Sequence, residues 1–200
     1  MITVILFDLD GVVRHFDPRL TAAIERRHAM TPGDIGRAAF RSPLIEDVTT
    51  GRLSRAEWEA RITADLGNAD AVAEWSRQPA SADPAVLALA GALRERGLRT
   101  AILTNGTDRI PEEVAELGLG DRFDAIFNTA AIGYAKPDPR AFRHVLEVMG
   151  VAPDAVLFTD DSPGHVAAAR RVGMVSQHFV GVAELVHALE ENGVPVDLSR

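Results

Sequence analysis

The first dozen residues constrain the fold of this chain most strongly. The run from Ile2 to Phe7 is continuously apolar and rich in β-branched side chains, and it stops at Asp8. A short apolar run that ends in a glycine-containing turn, here Asp8-Leu9-Asp10-Gly11, is typical of a buried parallel strand. Ligands of open α/β sheets bind outside the carboxyl ends of the strands, where this turn lies. One acid can therefore serve as an ionised nucleophile or metal ligand, and the other as a general acid and base.

The rest of the chain divides into a helical block and a block of alternating strands and helices. Residues 19–80 carry helical patterns, including a capping box that starts at Ser54, and no convincing strand. After about residue 83, strands alternate with helices, which predicts a parallel sheet with right-handed crossovers. We predict an α/β protein whose doubly wound, parallel Rossmann-like sheet comprises residues 1–15 and 81–200. Residues 16–80 are predicted to form an inserted small α-helical cap domain, and the tail after Gly193 to be loosely held.

Composition narrows the classes of partner and site. The 200 residues include 21 basic and 29 acidic side chains, which gives a net charge of −8 without any basic tract. Nucleic acid and membrane surfaces are therefore not expected partners. The absence of cysteine excludes disulfides and thiolate chemistry. No apolar run is long enough to span a bilayer and the N-terminus lacks a charged signal region, so a cytoplasmic protein is predicted. No feature of the sequence indicates an oligomeric state.

Polar residues recur where the predicted strands end. Thr104 and Asn105 follow the strand at 99–103, and Asp160 and Asp161 follow the strand near residue 157. Lys136 lies just before a helix that starts at Asp138-Pro139. Because the carboxyl ends of parallel strands share one edge of a sheet, we expect these side chains to face one crevice with Asp8 and Asp10.

These segments resemble, in chain order, the four motifs of the haloacid dehalogenase superfamily. The similar segments are Asp8-Leu9-Asp10-Gly11-Val12, Ile102-Leu103-Thr104-Asn105-Gly106, Gly133-Tyr134-Ala135-Lys136-Pro137-Asp138-Pro139 and Phe158-Thr159-Asp160-Asp161-Ser162. The resemblance covers residues 1–14 and about 83–180, and the helical block lies where the family has its type-one cap. It implies a phosphatase of small phosphorylated metabolites, such as sugar phosphates.

The resemblance also implies a role for each acid. Asp8 would attack phosphorus and form an aspartyl-phosphate, and Asp10 would protonate the leaving alcohol and later activate water. Mg²⁺ would be bound by the carboxylates of Asp8 and Asp161 and by the backbone carbonyl of Asp10, since this hard cation prefers oxygen ligands. Asp160 would not bind the metal itself but would support the residues that do.

The other implied roles concern the phosphoryl group. Lys136 would neutralise the phosphoryl oxygens and pair with Asp8. The Thr104 hydroxyl and the Asn105 backbone N–H would donate hydrogen bonds to the same oxygens. Lys136 and Thr104 also have a structural alternative, as a solvated loop lysine and as a residue that merely closes a strand.

Two segments depart from the family pattern. Arg14-His15-Phe16 replaces the usual small, acidic and hydroxyl residues, and His15 is either a substrate or gating residue or has no role in the site. His165 stands where relatives often carry Asp or Asn, so it either weakens the support around the metal or takes over the same hydrogen bond. Trp58 and Trp75 are predicted to pack inside the cap.

Three other activities were weighed against the phosphatase. A dehalogenase is disfavoured because Asp10 is present. A phosphonatase is excluded because it would need a cap lysine to form a Schiff base, and no lysine occurs before Lys136. A phosphomutase on the same fold, and a catalytically silent binding module, stay open as alternatives.

Overall fold

The computed structural model describes residues 1–196. Within them, a five-stranded sheet has the order β5-β4-β1-β6-β7 with every pairing parallel, and β2 and β3 form a separate antiparallel pair. The strands are β1 (Val4–Phe7), β2 (Arg14–Phe16), β3 (Ala80–Ala82), β4 (Arg99–Thr104), β5 (Ala125–Asn128), β6 (Val156–Asp160) and β7 (Val175–His178). The predicted α/β fold with a parallel, Rossmann-like sheet is confirmed.

Strand β1 lies at the centre of the sheet because both of its faces are apolar. Val4 and Leu6 pack in one hydrophobic cluster, and Ile5 and Phe7 pack in another on the opposite face. This alternation is what a strand covered by helices on both sides requires. The central position carries the end of β1, and therefore Asp8, to the middle of the carboxyl edge of the sheet.

Helices cover both faces of this sheet and also fill the segment between β2 and β3. In that segment they are α1 (Pro18–Arg27), α2 (Asp34–Ala39), α3 (Leu44–Thr49), α4 (Arg55–Leu66) and α5 (Ala69–Ser76). Those after β3 are α6 (Pro84–Glu95), α7 (Ile110–Glu116), α8 (Thr129–Ile132), α9 (Pro139–Met149), α10 (Pro163–Val172) and α11 (Val182–Glu191). Helices α1 to α5 bury apolar clusters separate from those of the sheet, and α4 begins with the predicted capping box.

The strands β2 and β3 carry the chain into and out of the segment α1 to α5. They pair antiparallel, with His15 opposite Ser81, and the Asp83 N–H donates to the Val13 carbonyl over 2.8 Å. The sequence interpretation missed both strands, because three residues are too few to show a period. The predicted division into 1–15 with 81–200 and 16–80 stays a prediction, and its boundaries cut through this pair.

The prediction of a loose tail after Gly193 is wrong for the residues that the structure describes. Val194 is buried and Val196 packs against the same core cluster, because the chain turns back over α11. Residues 197–200 lie outside the described part of the chain. Along residues 1–196, no helix combines the length and apolarity needed to cross a membrane.

Candidate active site

Asp8 stands at the carboxyl end of β1 with its carboxylate almost fully buried. The Leu9 N–H donates to Asp8 Oδ1 over 2.7 Å, and Lys136 Nζ lies 2.8 Å from the same oxygen. Among the described residues both of these partners use Oδ1, so Oδ2 stays available to a ligand. Burial raises the pKa of the Asp8 carboxyl to about 6, against the opposing effect of the Lys136 charge.

Lys136 joins Asp8 to Asp160. Its Nζ lies 2.7 Å from Asp160 Oδ2, and both side chains are inaccessible to solvent. Asp160 also accepts a hydrogen bond from the Ser162 N–H and contacts His165 Nδ1 at 3.0 Å. Burial alone would raise the pKa of Asp160, but His165 and Lys136 outweigh it and lower that pKa to about 2. Asp160 is therefore ionised and fixes the ammonium beside Asp8. Lys136 is also the only lysine in the sequence.

The Asn105 side chain positions the backbone of Lys136. Its Nδ2 donates to the Lys136 carbonyl and its Oδ1 accepts from the Lys136 N–H, each over 2.8 Å. Both polar atoms of the Asn105 side chain therefore bind the Lys136 backbone. The backbone N–H of Asn105 is the group that this contact leaves for a substrate. Thr104 ends β4 and is buried. The sequence analysis had not assigned this clamp to Asn105.

The Asp10 side chain does not join the Asp8 and Lys136 pair. Arg14 donates to both of its carboxylate oxygens, over 2.6 and 2.9 Å. Arg14 also donates to Glu113 Oε2 on α7 over 2.7 Å, and Arg55 Nη1 lies 3.0 Å from Glu113 Oε1. A chain of alternating charges therefore runs from Asp10 to α4. Burial would lower the pKa of the Arg14 guanidinium, but hydrogen bonds and charges from Asp10 and Glu113 raise it.

Asp161 is exposed and its carboxylate lies directly against Gly11. A Cβ at Gly11 would collide with this carboxylate, and Gly11 has a φ of +88°, so the close approach requires glycine. Burial, followed by the charge of Asp160, raises the pKa of Asp161. The Asp161 carboxylate thus lies beside the backbone of the Asp8–Gly11 turn.

Two groupings of acids are candidates for a cation. Ligand atoms of Asp8, Asp160 and His165 lie within 4.8 Å of one another. In that grouping, however, both carboxylate oxygens of Asp160 already have hydrogen-bond partners, and the Lys136 ammonium would repel a cation. Asp8 Oδ2 and the Asp161 carboxylate, which lies against Gly11, are oxygen ligands, and such ligands fit Mg²⁺ better.

A cavity of about 770 Å³ opens beside this centre, between α1 to α5 and the sheet. Asp10, Arg14, Asn105 and Thr107 line it on the sheet side. The facing side is held in place by hydrogen bonds from the Arg55 N–H to Asp108 and from Thr129 Oγ1 to the Thr49 carbonyl, each over 2.7 Å. His15 does not line the cavity, because it turns away to contact Asp83 at 3.2 Å.

Comparison with known proteins decides the family. The family model for haloacid dehalogenase-like hydrolases matches residues 2–173. The chain is a haloacid dehalogenase-like hydrolase. The predicted membership of this superfamily is thereby confirmed, and the match includes all of the candidate site residues.

Relatives of this hydrolase include phosphatases of two kinds. A phosphoglycolate phosphatase of Rhodospirillum rubrum is 32% identical over 184 residues, which cover 85% of this chain and 76% of the relative. A phosphoserine phosphatase of Thermus thermophilus is 34% identical over 146 residues, covering 72% of this chain and 57% of the relative.

A solved structure with the same fold is that of a family enzyme from Bacteroides thetaiotaomicron in complex with magnesium and inorganic phosphate. It superposes with a TM-score of 0.75 at 22% identity, over 89% of this hydrolase and 94% of that chain. At this identity, the similarity establishes the fold.

Two residues of the charged chain beside Asp10 could not be identified from the sequence. Glu113 and Arg55 lie 58 positions apart and meet only in the folded structure. Neither belongs to a motif, and helix α7 showed only the acidic first turn expected of any helix. For His165, the hydrogen-bonding alternative agrees with its contact to Asp160.

Proposed function

We propose that this hydrolase is a magnesium-dependent phosphomonoesterase that acts through an aspartyl-phosphate on Asp8. The observation that carries the proposal is the Asp8 carboxylate, buried and paired through one oxygen with Lys136, beside a cavity lined by Asp10. The phosphatase relatives and the magnesium and phosphate complex of the structural neighbour support the same chemistry.

In the first step, Asp8 attacks phosphorus and forms an acyl-phosphate bond as the phosphorus–alkoxide bond breaks. Asp10, once it is protonated and has given up one of its hydrogen bonds from Arg14, delivers its proton to the departing alkoxide. In the second step Asp10 takes a proton from water, which attacks phosphorus, releases inorganic phosphate and restores Asp8. Lys136, the Thr104 hydroxyl and the Asn105 backbone N–H would hold the phosphoryl oxygens throughout.

Mg²⁺ would be bound by Asp8, Asp161 and the Asp10 backbone carbonyl. When bound, it would offset the phosphoryl charge and keep Asp8 ionised despite its burial. Asp160 would act behind this layer, by fixing Lys136 through the ion pair described above.

The test is Mg²⁺-dependent release of inorganic phosphate from 4-nitrophenyl phosphate. Asp8→Asn, which is nearly isosteric, should lose turnover while it stays folded by circular dichroism. Asp121→Asn, at an exposed position that does not line the cavity, is the matched control and should keep full activity. Turnover by a folded Asp8→Asn protein, or full activity after chelation, would contradict the proposal. Phosphoryl transfer to an added sugar instead of water would favour the phosphomutase alternative.

A further inference from the structure

The helical segment contributes three aromatic side chains to the lining of the cavity. Phe40, Trp58 and Trp75 form a three-membered cluster with ring centroids 5.5 to 6.4 Å apart. All three line the cavity. Trp58 is buried in the helical segment, as predicted, whereas Trp75 is only partly buried and presents surface to the cavity.

Phe40 is the unusual member of this cluster, because 60% of its surface is accessible to solvent. Phe16, on the adjoining strand β2, lines the same cavity and is 46% exposed. Exposing apolar surface costs about 25 cal/mol per Å², so a concave, solvent-open aromatic surface is characteristic of a ligand site. These rings can be covered by an apolar part of a ligand that enters the cavity.

The arginines nearest to Asp10 are already neutralised. Arg14 pairs with Asp10 and Glu113, and Arg55 pairs with Glu59 and Glu113. Neither has a free charge with which to recognise a second anionic group of a substrate. Arg77 and Arg109 also line the cavity, but so do Asp17 and Glu116, so that the lining holds four acidic and four basic side chains and no net charge. The volume of about 770 Å³ far exceeds what a phosphoryl group with two or three further heavy atoms fills.

From this, we infer that the substrate is a phosphate monoester of a large, neutral, apolar alcohol, whose apolar part contacts Phe40 and Trp75. The inference rests on the proposed function and names its substrate class. It differs from the small sugar phosphate suggested by the family resemblance, and from the carboxylate-bearing alcohol portions of phosphoglycolate and phosphoserine.

A binding experiment tests the inference without turnover. Trp58 and Trp75 are the only tryptophans of the chain and form part of one cluster with Phe40, so tryptophan fluorescence reports on this cluster. Methyl-, butyl- and octylphosphonate, which cannot be hydrolysed at the phosphorus–carbon bond, are titrated in the presence of Mg²⁺. The dissociation constant should fall about twofold to fourfold per added methylene over the part of the chain that becomes buried, with a growing change in fluorescence. Equal dissociation constants for the three compounds would overturn the inference.

Variants locate the effect. Phe40→Ala should weaken the dependence of the dissociation constant on alkyl chain length. Val148→Ala is the control, because it removes an apolar side chain that is 60% exposed and does not line the cavity, and it should leave this dependence unchanged. Phe40→Leu should restore part of the dependence. A full dependence retained in folded Phe40→Ala would show that the apolar group binds elsewhere and would overturn the inference.

A kinetic comparison separates this inference from the proposed function. The substrates are ethyl, butyl and octyl phosphate, whose leaving groups have similar basicity, together with glucose 6-phosphate and phosphoglycolate. The ratio kcat/KM should be at least tenfold higher for octyl phosphate than for glucose 6-phosphate or for phosphoglycolate. Hydrolysis of all substrates at equal kcat/KM, or a preference for phosphoglycolate, would overturn the substrate class but keep the phosphatase. Octylphosphonate binding with no hydrolysis of any ester would refute the phosphatase and keep the apolar site.

Discussion

Arg14 donates to both carboxylate oxygens of Asp10, from Nε to Oδ1 over 2.6 Å and from Nη2 to Oδ2 over 2.9 Å. The Arg14 side chain is only 5% exposed, whereas that of Asp10 is 45% exposed. The guanidinium is therefore the fixed member of the pair, since Glu113 holds its other end. A planar fork orients a carboxylate far more strictly than a point charge does.

The first prediction is that Arg14→Lys slows the release of alkyl alcohols by about 10- to 100-fold, because lysine cannot hold both oxygens of Asp10 and so no longer fixes this carboxylate at the cavity wall. Release of nitrophenolate should fall much less, since that anion departs without a proton. Single-turnover release from butyl phosphate and from 4-nitrophenyl phosphate gives the comparison. Equal losses for both substrates would mean that Arg14 acts only on the fold.

The second prediction concerns Asp10 itself. Asp10→Asn should slow phosphorylation of Asp8 far more with an alkyl phosphate than with nitrophenyl phosphate, because only an alkoxide needs a proton as it leaves. Steady-state rates would mix this effect with the activation of water, so leaving-group release should be followed in a single turnover. If both substrates lose the same factor, the acid and base lies elsewhere.

The third prediction concerns Lys136, whose phosphoryl partner is common to every substrate. Lys136→Met should weaken transition-state binding of alkyl and nitrophenyl esters to the same degree, by ~2–4 kcal/mol. It should also lower the free energy of unfolding, because Asp8 and Asp160 lose the cation between them. Urea unfolding measures the second effect. A loss confined to one ester would contradict the assignment.

The fourth prediction follows from the buried Asp8 carboxyl, whose pKa is raised from 3.8 to about 6. A group with a raised folded-state pKa stabilises the fold below its unfolded pKa, and this contribution is lost as the pH rises through 6. Without Mg²⁺, Asp8→Asn should therefore be more stable than the wild type at pH 8, by on the order of 2–3 kcal/mol. The advantage should shrink below pH 6 and vanish near pH 4. Thermal unfolding in a chelator across this range is the measurement, and a difference independent of pH would contradict it.

The fifth prediction concerns the metal. Adding Mg²⁺ at pH 8 should raise the Tm of the wild type, because an ion that binds only the folded state stabilises it. Asp161→Asn should lose this shift, whereas the exposed control Asp121→Asn should keep it. Ca²⁺ should also raise the Tm but inhibit turnover, since its larger and less regular shell does not support the same geometry. An undiminished Mg²⁺ shift in Asp161→Asn would place the ion elsewhere.

Sequence reasoning was most informative where a residue's neighbours along the chain determine its environment. Asp8 ends an apolar run and Lys136 precedes a helix start, so both could be placed at the edge of the sheet before their contact was known. The parallel order of the sheet followed from the alternation of strands and helices. The roles proposed for all of the site residues stay predictions, and the variants described above test those of Asp8, Asp10, Lys136 and Asp161.

What could not be predicted depends on contacts between distant segments. Glu113 shows no local signal, yet it lies between Arg14 and Arg55 because α7 and α4 meet at the wall of the cavity. The short strands β2 and β3 stabilise each other by pairing, and neither has enough residues to show a period alone. The clamp of Asn105 on Lys136 likewise joins residues 31 positions apart.

The single lysine has a practical consequence. An amine-reactive reagent that modifies any side chain of this protein must have reached the centre formed with Asp8 and Asp160, because no surface lysine competes for it. Reductive methylation with a ¹³C-labelled reagent would install one side-chain resonance at that centre. Because Lys136 is the only lysine, this site can be labelled specifically for spectroscopy without first replacing other lysines by mutagenesis.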